Sequence, residues 1–144
     1  MADSSSVVLL IEPNVASGAS YGDALRRAGY TVVLVPDTTT ALQALTEITP
    51  HIVVARFDPR THDERLALCE RLKGDARTAG IPILLTSDTI GRDDLKRATE
   101  ISVLGVSIGP HDGGKMTSAV RGVLAVAEAR ASIESSDRDI SRSA

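Results

Sequence analysis

The sequence predicts an open α/β fold, a doubly wound parallel sheet of five strands with helices on both faces. Two observations carry this. Five short aliphatic runs alternate with five longer stretches of helical spacing. The short runs are also apolar at consecutive positions, as strands covered on both sides are, instead of alternating apolar with polar. Parallel neighbours need a crossover between them, and the helical stretches supply it.

The first strand is "VVLLIE" (7–12) and the helix after it covers 15–28. Gly18 and Gly22 each weaken that helix by about 1 kcal/mol relative to alanine, and read as close-packing positions. Gly29 follows "ALRRA" and suits a helix C′ position, where a positive φ is needed. The second strand is "TVVLVP" (31–36), and Asp37 or Thr38 caps the helix over 38–48. Pro50 separates this helix from the third strand, "HIVVARF" (51–57). The third helix, 62–73, opens on a charged first turn, "HDE". Pro82 stands at the start of the fourth strand, "IPILLTS" (81–87), where a missing N–H is tolerated. A helix over 91–101 leads to the fifth strand, "SVLGVSI" (102–108). The last helix, 114–132, places Met116, Val120, Val123, Leu124 and Ala127 on its core side, with Val126 widening the apolar arc. One domain therefore spans 7–132. The segments 1–6 and 133–144 are polar and are predicted to be disordered tails.

Composition narrows the function. The chain has 144 residues, enough for one core. It is 42% hydrophobic, yet has only two tyrosines, one phenylalanine and no tryptophan. The core must be aliphatic, and the stacking platforms of single-strand nucleic-acid binders are missing. A net charge of −3 without a basic cluster argues against duplex nucleic acid and anionic membranes as partners. Cys69 stands alone and is expected to pack in the third helix. It can form no internal disulfide, which fits a reducing compartment. "MADSSS" lacks the charged and apolar regions of a secretion signal, and no apolar stretch approaches the roughly 20 residues of a membrane span. A cytoplasmic protein is expected.

In open parallel sheets, ligands sit beyond the carboxyl ends of the strands, where strand order reverses. The strand ends here are Glu12-Pro13-Asn14, Arg56-Phe57-Asp58, Thr86-Ser87-Asp88 and Gly109-Pro110. Thr86 and Ser87 have no neighbouring histidine to act as a base. His51, His62 and His111 lack metal-ligand spacing, so no zinc site is expected. "HDGGK" (111–115) has two glycines near a helix start. It reads as a flexible loop or, less simply, as an anion-holding turn.

On these residues the chain resembles the receiver domains of two-component response regulators over about 7–130. "VVLLIEPN" resembles the family's first strand and acidic pair, and "AGYTVVLVPD" its second strand. "TALQALTEITPHIVV" resembles helix two running through a proline into strand three. "LCERLKGDARTAGIPILLTS" is the most specific match, from helix three through the Ile-Pro start to the Leu-Thr-Ser end of strand four. The resemblance implies the flavodoxin-like strand order 2-1-3-4-5. It also implies a site in which an aspartate at the end of strand three accepts a phosphoryl group. Two acidic residues hold Mg²⁺ there, and a Thr or Ser and a Lys bind the phosphoryl oxygens.

Position by position, the sequence departs from that site. Glu12 matches the first acidic position and Thr86 the hydroxyl. Pro13 replaces the second acid, Arg56 the phosphoacceptor and Gly109 the lysine, while Val106 stands where many members carry a switch aromatic. Arg56 is a permanent cation and no nucleophile. Asp58, two residues on, is the alternative acceptor, or else a loop aspartate turning the chain toward helix three. Glu12 and Arg56 end adjacent strands: either an ion pair between them is expected as a substitute for the charge of metal and lysine, or Arg56 turns to solvent at the strand's end.

The reading is a degenerate pseudo-receiver: no enzyme, no metal, no cofactor. It would regulate a protein partner without phosphorylation. Its contact face would be helix four, strand five and helix five, with Leu95, Ala98, Val106 and Val126, and a homodimer could form there. The alternatives are a divergent receiver phosphorylated at Asp58 and a small-ligand-binding flavodoxin-like domain.

Overall fold

The computed structural model describes residues 6–57, 62–109 and 111–143, the side chains of 62 and 134–143 apart. Its elements run in strict alternation: β1 (Val7–Ile11), α1 (Val15–Arg27), β2 (Thr31–Val35), α2 (Thr38–Ala44), β3 (Ile52–Arg56), α3 (His62–Gly74), β4 (Ile83–Ser87), α4 (Arg92–Glu100), β5 (Gly105–Ile108) and α5 (Gly113–Ser143). The strands form one parallel sheet in the order β2-β1-β3-β4-β5, as predicted.

Successive strand residues serve opposite faces, so the sheet divides two cores. Leu9, Ile11, Val53, Ala55, Ile83 and Leu85 pack with Leu66, Cys69 and Leu72 of α3 and Ala41 of α2. Val8, Leu10, Ile52, Val54 and Leu84 pack with Tyr21 and Leu25 of α1 and Met116 and Val120 of α5. β4 is buried at every position, which explains its uninterrupted apolar run. Each large aliphatic side chain buried in this way contributes about 1.5–3 kcal/mol.

The helix ends follow local chemistry. Asn14 caps α1 by accepting from the Ser17 amide at 2.9 Å. Gly29, at φ +102°, closes α1: its own amide donates to Arg26 O and that of Tyr30 to Leu25 O, both at 3.0 Å. Asp37 caps α2 by accepting from the Thr40 amide at 2.8 Å, a bond that holds its carboxyl below the ordinary range. α2 ends earlier than the expected 48. Thr46, Ile48 and Thr49 are β-branched, and the residue before Pro50 is biased away from helix.

The fifth strand begins at Gly105, not 102, because Ser102 adopts φ 70° and terminates α4. Val103 N then donates to Ala98 O at 3.0 Å, the closure a glycine usually makes. Gly105 is required for a different reason. A Cβ there would lie 2.7 Å from Val123 Cγ2, so α5 approaches β5 more closely than any side chain permits.

Both expected tails need correction. Ser6 belongs to the fold: its carbonyl accepts from the Thr31 amide at 3.0 Å, extending the β1–β2 ladder. Residues 1–5 lie outside the described residues. At the other end, α5 continues through 133–143 as helix. No glycine or proline follows Gly122, so nothing in the sequence stops it. At 1.5 Å per residue its 31 residues span about 46 Å. No helix among the described residues is long and apolar enough to cross a membrane.

Cys69 packs in the first core as expected, and burial pushes its thiol up to about 11. We expect the native protein to resist thiol-specific reagents at mildly alkaline pH and to react fully once unfolded. Rapid labelling of the folded protein would contradict this packing.

Candidate functional site: the crevice at the carboxyl end of the sheet

β1, β3, β4 and β5 bring Glu12, Arg56, Thr86-Ser87-Asp88 and Ser107 to one end of the sheet. Parallel register pairs Ile11 with Ala55 and Arg56 with Thr86. Glu12 therefore follows the pair next to Arg56, as the sequence implied.

The expected Glu12–Arg56 ion pair is nevertheless not made. Among the described residues, Arg56 pairs instead with Asp88 across β4, Nη2 to Oδ2 at 3.0 Å. Glu12 is 7% exposed, and its Oε2 accepts from the Asn14 amide at 3.1 Å, at the turn into α1. The physical reason is solvation. A pair with Glu12 would bury a second full charge, whereas the Asp88 side chain is 65% exposed and keeps most of its water. Such a pair is worth about 0–1 kcal/mol. It fixes the direction of Arg56 more than it stabilises the fold.

A second arginine, not singled out in the sequence, holds the same strand end. Arg65 of α3 is 2% exposed. Its Nε donates to the Arg56 carbonyl at 3.0 Å and its Nη1 to Thr38 Oγ1 at 2.7 Å. The last carbonyl of β3 and the first turn of α2 thus share one guanidinium. Its signal was present: Arg65, Cys69 and Leu72 recur at helical spacing on the core stripe of α3.

Two further residues enter from the β5–α5 turn. His111 Nε2 lies 2.9 Å from Ser107 Oγ, and Tyr21 donates to the His111 carbonyl at 3.3 Å. His111 Nδ1 is buried and has no hydrogen-bond partner among the described residues. Burial, then the charges of Lys115 and Arg56, hold this imidazole below its ordinary pKa, against a weaker pull from Asp88 and Asp112. Lys115 Nζ donates to the Ile108 carbonyl at 2.6 Å. It stands 3.1 Å from where a Cβ of Gly109 would be, and Gly109 itself has φ +104°. An ammonium therefore occupies the space beside Gly109, supplied from the first turn of α5.

The "HDGGK" segment is neither a flexible loop nor an anion-holding turn. Asp112 Oδ1 accepts from the Lys115 amide at 2.7 Å, so a carboxylate of the chain itself already fills the helix start.

The described residues do not fit Mg²⁺, which wants carboxylate oxygens and tolerates little distortion. Pro13 offers no side-chain donor, Arg56 brings a cation, and Asp88 is engaged by it. Among the described residues no group of three or more His, Cys, Asp or Glu comes together to hold a metal. Asp58 and Pro110 lie outside the described residues. Thr86 is buried at the end of β4, beside Arg56 in register.

The predicted contact face needs one correction. Leu95 and Val126 are exposed at 41% and 47%, but Ala98 is 1% exposed and packs in the first core, on the sheet side of α4. Val106 is half-buried. It lines an open groove of about 380 Å³ with Gly105, Leu84, Leu104, Val123 and Val126.

This architecture has close structural relatives. The chemotaxis response regulator CheY4 of Vibrio cholerae superposes with a TM-score of 0.75 at 14% identity, covering 83% of this chain and 99% of that one. The signal receiver domain of a signal transduction histidine kinase from Syntrophus aciditrophicus gives 0.72 at 21% identity, covering 84% and 91%. An orphan response regulator of H. pylori gives 0.71 at 19% identity, covering 83% and 97%. The fold is that of a receiver domain. At these identities the likeness extends to the fold and no further. No protein-family model matches the chain, and neither does any curated protein.

Within this receiver fold, His111 gives a pH signature. Its folded pKa lies below its ordinary 6.5, so the unfolded chain binds the proton more readily. The contribution is present above about 6.5 and is lost as pH falls below it. Urea denaturation at pH 7.5 and 5.5 should show a smaller acid destabilisation for His111→Asn than for wild type. Equal losses in both proteins would show that His111 is not the group responsible.

Proposed function

We propose that this chain is a receiver-type signalling module that acts through protein contacts and does not transfer a phosphoryl group. The observation that carries the reading is the guanidinium of Arg56, bonded to Asp88, at the end of β3 in a receiver fold. Phosphoryl transfer to a receiver needs an anionic nucleophile and a metal at that strand end. Here the corresponding positions carry a cation, a proline at 13 and a glycine at 109. Arg56 and Lys115 supply fixed positive charge where metal and lysine would stand, so the crevice holds one electrostatic state without a ligand.

The contact surface we favour is β5 with the outer sides of α4 and α5. β5 is an edge strand, and the groove beside it is apolar, with Val126 exposed at its rim. Edge strands and exposed apolar patches are the parts of a surface most readily covered by another protein. A protein partner or a second copy of this chain, in the cytoplasm, would use this face.

Incubation with Mg²⁺ and acetyl phosphate should leave the intact mass unchanged, and fluoroberyllate should produce no saturable NMR shifts at the strand ends. A gain of one phosphoryl mass that Asp58→Asn abolishes would overturn the reading and favour a divergent phosphorylated receiver. The contact face has its own test. Val126→Glu should lower affinity for a captured partner, or dissociate self-assembled copies in sedimentation, by at least about tenfold while the circular dichroism stays native. Undiminished association would place the interface elsewhere.

A further inference from the structure

We propose that a cavity at the amino end of the sheet, opposite the crevice, is a binding site for a small dianion of the phosphate or phosphomonoester type. The cavity, about 240 Å³, opens between the end of α3, the loop into β4, the turn before β5 and the outer half of α5. Its described lining contains two cations, Lys73 and Arg130, a hydroxyl from Ser102, and no carboxylate.

The two cations have different explanations. Lys73 Nζ donates to the carbonyls of Ala79 and Ile81 at 3.3 and 3.4 Å. The carboxyl end of α3 also favours a cation there. Those contacts use two of its three N–H groups, and one donor remains. Arg130 has no such account. It comes from α5 on the other side of the cavity, and no ion pair or hydrogen bond engages its guanidinium among the described residues. Its charge adds to burial in making Lys73 release its proton more readily, so the two cations oppose each other across the cavity. A dianion between them removes that opposition and accepts charge-assisted hydrogen bonds from both.

Size selects the class of ligand. Sites for drug-sized molecules run to about 300–1,000 Å³, and this cavity is smaller. It suits an inorganic anion or a short phosphomonoester in preference to a nucleotide. The bound anion would tie α5 to the α3–β4 loop, far from the crevice, so the inference does not depend on the chemistry of Arg56.

The test is an NMR titration of the full chain with inorganic phosphate and, separately, methyl phosphate, against sodium chloride at matched ionic strength. We expect saturable amide shifts at Gly80, Ser102, Leu104 and Ala131. Affinity should fall at least tenfold in Arg130→Met, whose exposed side chain leaves the fold intact, and in Lys73→Met. Shifts reproduced by chloride, shifts centred on Arg56 and Lys115 instead, or an affinity unchanged from wild type in either variant would each overturn it.

Discussion

Arg65 is buried to 2% exposure, and its guanidinium bonds both the last carbonyl of β3 and the hydroxyl that opens α2. A charge in that position is tolerable only while its donors are used, since an unpartnered buried cation costs several kcal/mol. The constraint works outward. β3 must end where its carbonyl meets Nε, and α2 must begin where Thr38 meets Nη1. Splaying the sheet at its carboxyl end would break these bonds together with the ladder there, where Glu12 N donates to Val35 O and Phe57 N to Thr86 O. The crevice inherits its shape from this anchorage, and Arg56, whose carbonyl is the one held, projects its side chain from a fixed point.

Charge at the crevice is arranged by solvation. The deepest acid, Glu12, is given a backbone amide as partner. The more hydrated acid, Asp88, is given the arginine. Lys115 turns toward a backbone carbonyl, and burial with the charges of Lys115 and Arg56 favours the neutral form of His111 over the weaker pull of Asp88 and Asp112. Arg56 thus takes the acid that keeps most of its water, and among the described residues the buried Nδ1 of His111 has no hydrogen-bond partner.

The strand alternation was legible because the central strands β1, β3 and β4 are buried almost throughout and leave aliphatic runs, as "VVLLI" does at 7–11. Gly29 and Asp37 were legible because helix caps use a short list of residues. Ser102 was not, since a serine closes α4 in a conformation that usually announces itself as glycine. The length of α5 was hidden by composition: polar residues read as tail, although nothing among them breaks a helix. At the crevice, strand order placed Glu12 and Arg56 side by side, but which acid an arginine takes depends on burial, and sequence does not encode burial directly. Lys115 was out of reach for a similar reason. It arrives from the next helix, folding back seven residues to Ile108, and only the path of the turn reveals it.

The reciprocity between Gly109 and Lys115 bears on how this crevice could change over evolutionary time. Any side chain at 109 would have to grow from a backbone at φ +104° and into a space whose nearest occupant is the Lys115 ammonium, 3.1 Å away. A larger side chain at 109 would have to displace the Lys115 ammonium as well as hold a left-handed backbone. Loss of Lys115 would in turn hand the Ile108 carbonyl, on an exposed residue, to water. The two positions are therefore coupled: which residue 109 can be depends on its left-handed backbone and on where the Lys115 side chain lies.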